Sequence, residues 1–318
     1  MRGFAILSLL CGLMVCMATP TLAADAPRAT NDAALSAGGS ATCMQCHNSA
    51  PVSDILKTPH AMKGDARSPF GQQGCEACHG PSDAHASGFA KGTPTEPGIR
   101  FNGPNASPVA QRNQVCLGCH QDAKRMDWDS SKHHANNLAC VSCHTIHVAK
   151  DPVLVRTTQP EKCFSCHAQQ RAESFQYSHH PIREGKVVCS DCHNPHGSAG
   201  PSQLKEFTVN QTCYNCHADK RGPMLWEHQP VRENCLNCHT PHGSSQPRLM
   251  KEPMNFLCSS CHSSSASHYS GGAFGGKGSV PGSIQATASS ALANQRTCVN
   301  CHSQVHGSNS PNGTWFFR

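Results

Sequence analysis

Residues Cys189–Gly197 read C-S-D-C-H-N-P-H-G: a C-x-x-C pair, a histidine directly after it, and a second histidine three residues further on. Two thiols at this spacing add to the two vinyl groups of one haem, and the adjoining imidazole turns onto the iron as its proximal ligand. The same unit recurs along the chain at Cys43/Cys46/His47, Cys75/Cys78/His79, Cys116/Cys119/His120, Cys140/Cys143/His144 and Cys163/Cys166/His167. Beyond Cys189/Cys192/His193 it returns at Cys213/Cys216/His217, Cys235/Cys238/His239, Cys258/Cys261/His262 and Cys298/Cys301/His302. These ten units use every cysteine except Cys11 and Cys16 near the N-terminus. Structural disulfides or paired zinc sites would not require a histidine after each pair, so the motifs imply ten covalently bound haem c groups.

The other histidines follow the motifs in order. Each of five repeats carries one motif, a histidine after a spacer, a second motif, and a further histidine close behind. The distal candidates are His60 and His85, His133 and His147, His180 and His196, His228 and His242, and finally His268 and His306. Two doublets leave a choice. His133 and His180 each lie 13 residues beyond the preceding proximal histidine, the offset that also separates His60 from His47, and are favoured over His134 and His179. Axial nitrogens about 2 Å from a metal sit on opposite faces of its haem. His147, only three residues after His144, therefore cannot easily reach the far face of its own haem and should serve a neighbour, as should His196 and His242.

The N-terminus has the pattern of a signal peptide: Met1-Arg2, an apolar run from Phe4 to Ala18, and small residues at Thr21-Leu22-Ala23. The expected organisation is a leader at 1–23, a flexible N-terminal tail at 24–42, and a decahaem domain at 43–318 with repeats starting near 43, 116, 163, 213 and 258. No later stretch approaches the roughly 18 apolar residues of a membrane helix. Hydrophobic residues make up 37% and aromatics 5% of the chain, too few for a core of side chains alone. The haems themselves should form the core as a linear wire, held by mostly coil with short α-helices and negligible β-sheet in an elongated multihaem cytochrome c. The Gly/Ser/Pro-rich segments 80–115 and 263–297 read as long mobile loops.

A formal charge of +6 would ordinarily invite a search for an acidic partner. Here haem propionates outweigh it, and Lys124/Arg125, Arg183 and Lys220/Arg221 read as their counter-ions. No nucleic-acid motif is present. Met44, Met126 and Met254 are candidate axial ligands only if histidine were scarce, and it is in surplus.

The stretches Cys189–Gly197, Asp219–His228 (DKRGPMLWEH), Glu233–Gly243 (ENCLNCHTPHG) and Cys298–Asn309 (CVNCHSQVHGSN) resemble the periplasmic decahaem cytochromes of outer-membrane porin–cytochrome conduits, the MtrA, MtoA and DmsE type. The resemblance spans essentially the whole mature chain. It implies a periplasmic electron-transfer protein, not an enzyme, inserted in an outer-membrane β-barrel porin. Electrons would pass between periplasmic or inner-membrane carrier cytochromes and an extracellular cytochrome or iron mineral, in metal reduction or Fe(II) oxidation. Two other readings use the same haems: a soluble periplasmic carrier, and a multihaem reductase, which needs an iron with an open position.

Overall fold

The computed structural model describes residues 34–93, 95–262, 298–300, 302–311 and 313–316. The leader at 1–23, the segment 263–297 with His268, and Cys301 lie outside the described residues.

The polypeptide is a succession of short helical turns joined by coil. The longest described helix, Val109–Leu117, has nine residues, and β-structure among the described residues is limited to four isolated bridges. Isolated helices this short are marginal in water, so something other than propensity stabilises them. The motif itself supplies part of the answer. In all ten units the histidine N–H donates to the carbonyl of the first cysteine at 2.9–3.1 Å, closing one helical turn that brings the first cysteine and the imidazole to the same side.

Side-chain packing contributes little. Among the described residues the buried apolar side chains are Ile55, Trp128, Ala139, Phe164, Ile182 and Val188. In their place lies a continuous cavity of ≈4630 Å³ that follows the motifs along the chain, several times an ordinary ligand pocket of about 300–1,000 Å³. The sequence expectation of a core made of cofactor rather than side chains accounts for both facts.

Polar clamps set how the motifs are paired. Ser40, Asn113 and Asn210 each stand three residues before the first cysteine of an odd-numbered motif. Each accepts from the backbone N–H of the first cysteine of the next motif: Cys75 N to Ser40 Oγ at 3.1 Å, Cys140 N to Asn113 Oδ1 at 2.8 Å, and Cys235 N to Asn210 Oδ1 at 2.8 Å. The two asparagines are buried and also donate to the carbonyls of Leu138 and of Val231 and Arg232. Leaving such a buried group unpaired costs about 1–3 kcal/mol. In the third repeat Gln159 plays a similar part, accepting from Ser190 N at 3.0 Å.

Glycine lets successive repeats touch. A Cβ on Gly197 would collide with the Asp127 carbonyl of the preceding repeat, and one on Gly243 with that of Glu173. The two Pro-His-Gly loops therefore sit directly on the backbone behind them.

Two segments are more ordered than expected. Within the tail anticipated at 24–42, Ser36 is buried and its N–H donates to the buried Glu76 carboxylate at 3.0 Å, while Ser40–Met44 is helical. Glu76 also accepts from Ser82 N at 2.8 Å. Within the loop anticipated at 80–115, Asp83–Ala90 forms a helix of eight residues that carries His85.

Candidate haem sites

The imidazoles come together in pairs, each joining a motif histidine to one of the later histidines. Ring centroids are 6.4 Å apart for His47 and His85, 6.1 Å for His60 and His120, 6.3 Å for His79 and His147, and 6.2 Å for His133 and His167. The separation is 6.1 Å for His144 and His196, 6.2 Å for His180 and His217, and 6.2 Å for His193 and His242. It is 6.1 Å for His228 and His262 and 6.2 Å for His239 and His306. Two nitrogens about 2 Å from one metal, each about 1 Å from its own ring centre, place the centroids about 6 Å apart. Each gap therefore fits one iron. Of the expected site residues, His268 and Cys301 lie outside the described residues.

The pairs obey a rule that motif spacing alone does not reveal. After the first repeat, a spacer histidine reaches forward to the next odd motif: His133 to the fifth, His180 to the seventh and His228 to the ninth, as His60 does to the third. The histidine just behind an even motif reaches backward instead: His147 to the second motif, His196 to the fourth, His242 to the sixth and His306 to the eighth. His85 closes the first motif. The second, third and fourth repeats thus each take one ring from the repeat before and one from the repeat after, while the first takes one from the second and the fifth one from the fourth.

The cysteines show the same continuity. The first cysteines of the two motifs in a repeat are close neighbours: Cys43 with Cys75, Cys116 with Cys140, Cys163 with Cys189, Cys213 with Cys235 and Cys258 with Cys298. Between repeats the second cysteines are electrostatic neighbours: Cys78 with Cys119, Cys143 with Cys166, Cys192 with Cys216 and Cys238 with Cys261. Spatial order therefore follows sequence order, with alternating junctions. All nineteen described motif cysteines line the long cavity, and none is in a disulfide.

Hydrogen bonds at Nδ1 prepare the rings for a metal. When Nδ1–H is held by an acceptor, the lone pair on Nε2 is left free. His79 donates to the carbonyl of Ile99, His85 to Thr95, His193 to Ser202 and His239 to Arg248, at 2.6–3.1 Å. His302 bonds the Trp315 carbonyl. Three contacts join adjacent pairs: His133 donates to Pro195 O at 2.7 Å, His180 to Pro241 O at 2.6 Å, and His228 to Val305 O at 3.1 Å. Each acceptor directly precedes His196, His242 or His306, so one dipeptide presents a ring to one gap and orients the ring of the next. Burial holds His60, His79, His147, His193, His228 and His306 below the usual imidazole range. Burial, then the facing His144, takes His196 down to about 4. These rings are neutral donors at neutral pH.

The doublets separate clearly. His134 bonds the Asp129 carbonyl at 2.9 Å and packs against Trp128. His179 has both nitrogens engaged, Nδ1 with Gln176 O at 2.8 Å and Nε2 with Glu184 at 3.4 Å. Neither faces a motif histidine, as His133 and His180 do. Of the cations expected near propionates, Lys124, Arg125 and Lys220 line the cavity; Arg183 lies 4.2 Å over the Phe175 ring. No described helix is long and apolar enough to cross a membrane.

Comparison with known sequences gives a matching picture. Residues 179–222 and 228–267 match the doubled CXXCH motif family, and residues 75–159 match a family of cytochrome c-type proteins described as NrfB-like. The chain is 47% identical over 278 residues to the multiheme cytochrome MtrA of Shewanella baltica (strain OS185), covering 86% of this chain and 80% of that protein. It is also 35% identical over 104 residues to the cytochrome c-type protein NrfB of Haemophilus influenzae, covering 30% of this chain and 45% of that one.

Proposed function

We propose, from the premise that this chain belongs to the MtrA family of multihaem cytochromes, that it is an electron conduit of ten bis-histidine haems, sheathed by a porin in the outer membrane. The observation that carries the reading is the set of nine histidine pairs spaced for one iron each; His302 and His268 would hold the tenth. Bound haem c contributes one-electron exchange at iron. The polypeptide contributes attachment through the paired cysteines, two imidazoles per iron, and a fixed order along the chain. An imidazole on both faces of each gap leaves no position for a substrate, which favours electron transfer over reduction chemistry. The alternating cysteine junctions keep neighbouring sites close, as a conduit requires.

The leader pattern and the absence of a spanning helix among the described residues support an exported protein acting from the periplasm. The family supports a porin, periplasmic or inner-membrane carriers, and an extracellular cytochrome or mineral as partners.

The denatured mature protein is expected to show an intact mass with ten haems and no free thiol. Electron paramagnetic resonance of the oxidised protein is expected to be low-spin throughout. Two classes of signal should appear, because His144/His196 and His239/His306 have nearly parallel rings, at 11° and 12°, whereas His60/His120 and His79/His147 stand at 87°. Near-parallel rings give rhombic spectra and near-perpendicular rings strongly anisotropic ones. A stoichiometric high-spin iron that binds cyanide or nitrite in the unmodified protein would overturn the conduit reading in favour of a reductase.

A further inference from the structure

The fourth motif is built differently from the other even-numbered ones. At His79, His193, His239 and His302 the Nδ1 acceptor is a backbone carbonyl. At His144 it is the Asp151 carboxylate, Oδ2 standing 2.7 Å from Nδ1 with its side chain only 11% exposed. The backbone N–H groups of Thr145 and Val153 donate to Asp151 Oδ1 at 3.2 and 3.3 Å, fixing the carboxylate toward the ring. Across the gap, His196 Nδ1 is buried with no protein partner. The histidine pair is therefore polarised from one side.

We propose that Asp151 is a positioning residue that makes His144 the strongest donor among the even-numbered proximal histidines and lowers the reduction potential of the haem on Cys140/Cys143. The proposal rests on the reading of His144 and His196 as an axial pair. A carboxylate acceptor makes a charge-assisted bond, stronger than one to a neutral carbonyl, and raises the basicity of the ligating imidazole. A more basic ligand stabilises ferric over ferrous iron, and hydrogen bonding around the ligands is an established control of haem potential. Lys124 and Arg125 act in the opposite sense near His196, but Arg125 is paired with Asp122 at 2.6 Å. Their through-space effect is also screened, whereas Asp151 acts through the ligand itself. The result is an energetic step in the row between the third and fifth sites.

Asp151 also caps the turn Pro152–Leu154 through Val153 N, so a purely structural role has to be separated. Asp151→Ala, Asp151→Asn and Asp151→Glu would be compared by optical redox titration of the ten-haem protein, with haem content and low-spin spectra recorded for each. In the Ala and Asn variants one-tenth of the absorbance change is expected to move to higher potential. At a fixed potential the reduced-to-oxidised ratio of that haem should rise at least about tenfold, equivalent to about 59 mV for one electron. The Glu variant should return most of it. An unchanged titration in both the Ala and Asn variants, with ten low-spin haems retained, would overturn the proposal, as would a shift of the whole envelope together. The axial pairing is tested separately by His196→Ala: if that change opens no haem, the pairing fails, whatever Asp151 does.

Discussion

Replacing His242 with alanine is expected to convert one haem in ten to a high-spin, cyanide-binding form, and that haem is the one on Cys189/Cys192 rather than its sequence neighbour on Cys235/Cys238. His242 lies three residues after His239, yet its ring faces His193, while His239 faces His306. Combining His242→Ala with loss of Cys189 and Cys192 should abolish the high-spin signal. Combining it with loss of Cys235 and Cys238 should leave it in place. Both variants can be checked for haem content by mass, which separates loss of a ligand from failure of attachment. His133→Ala and His180→Ala should each open one haem, on Cys163/Cys166 and Cys213/Cys216. His134→Ala and His179→Ala should leave the spectrum intact, since those rings are bonded to Asp129 and to Gln176 and Glu184. If His242→Ala instead opened the haem on Cys235/Cys238, the pairing across repeats would be wrong.

The second large effect concerns membranes. Liposomes holding an internal redox dye should exchange electrons with an external donor when the cytochrome is reconstituted with its porin, and should show near-background exchange with cytochrome alone. Haems in contact at about 3.5 Å, ten in line, reach on the order of 50–100 Å, beyond a hydrocarbon core of about 30 Å. The peptide around them cannot face lipid. Among the described residues it is coil and helices of at most nine residues, whose unsatisfied backbone groups would each cost several kcal/mol in hydrocarbon, and no described helix is long and apolar enough to span. In the proposed conduit a closed barrel would supply the sheath. Equal exchange by the cytochrome alone in intact vesicles would remove the porin from the proposal and leave a diffusing carrier.

The haem chemistry was legible in the sequence because covalent attachment is a local demand: two thiols and an imidazole must fall within five residues, and the helical turn from Cys189 to His193 follows from that spacing. The fold class was legible for a related reason, since 37% hydrophobic residues cannot fill a core. The choice of His133 and His180 rested on a repeated offset, and the structure places those rings opposite His167 and His217. Which gap each later histidine faces was less accessible. His133 is oriented by Pro195, 62 residues away, and no local spacing encodes that contact. His147, His196 and His242 were expected to serve neighbours, but the backward direction of their reach depends on how Gly197 and Gly243 seat their loops on the preceding repeat.

Other features left a signal that was passed over. Ser40, Asn113 and Asn210 stand at one position, three residues before the first cysteine of three of the five odd motifs. Asp151 is the sole acidic residue between His144 and Glu161. The helix Asp83–Ala90 was hidden by the glycine and proline around it, and the anchoring of Ser36 by Glu76 spans 40 residues.

The most direct test is the position of the irons themselves, located by anomalous scattering at the iron edge in crystals of the mature protein. Ten peaks are expected, nine of them midway between the paired rings from His47/His85 to His239/His306, and the tenth between His302 and His268. An iron bound by His239 and His242, or by any proximal histidine and the histidine immediately behind its own motif, would contradict the account.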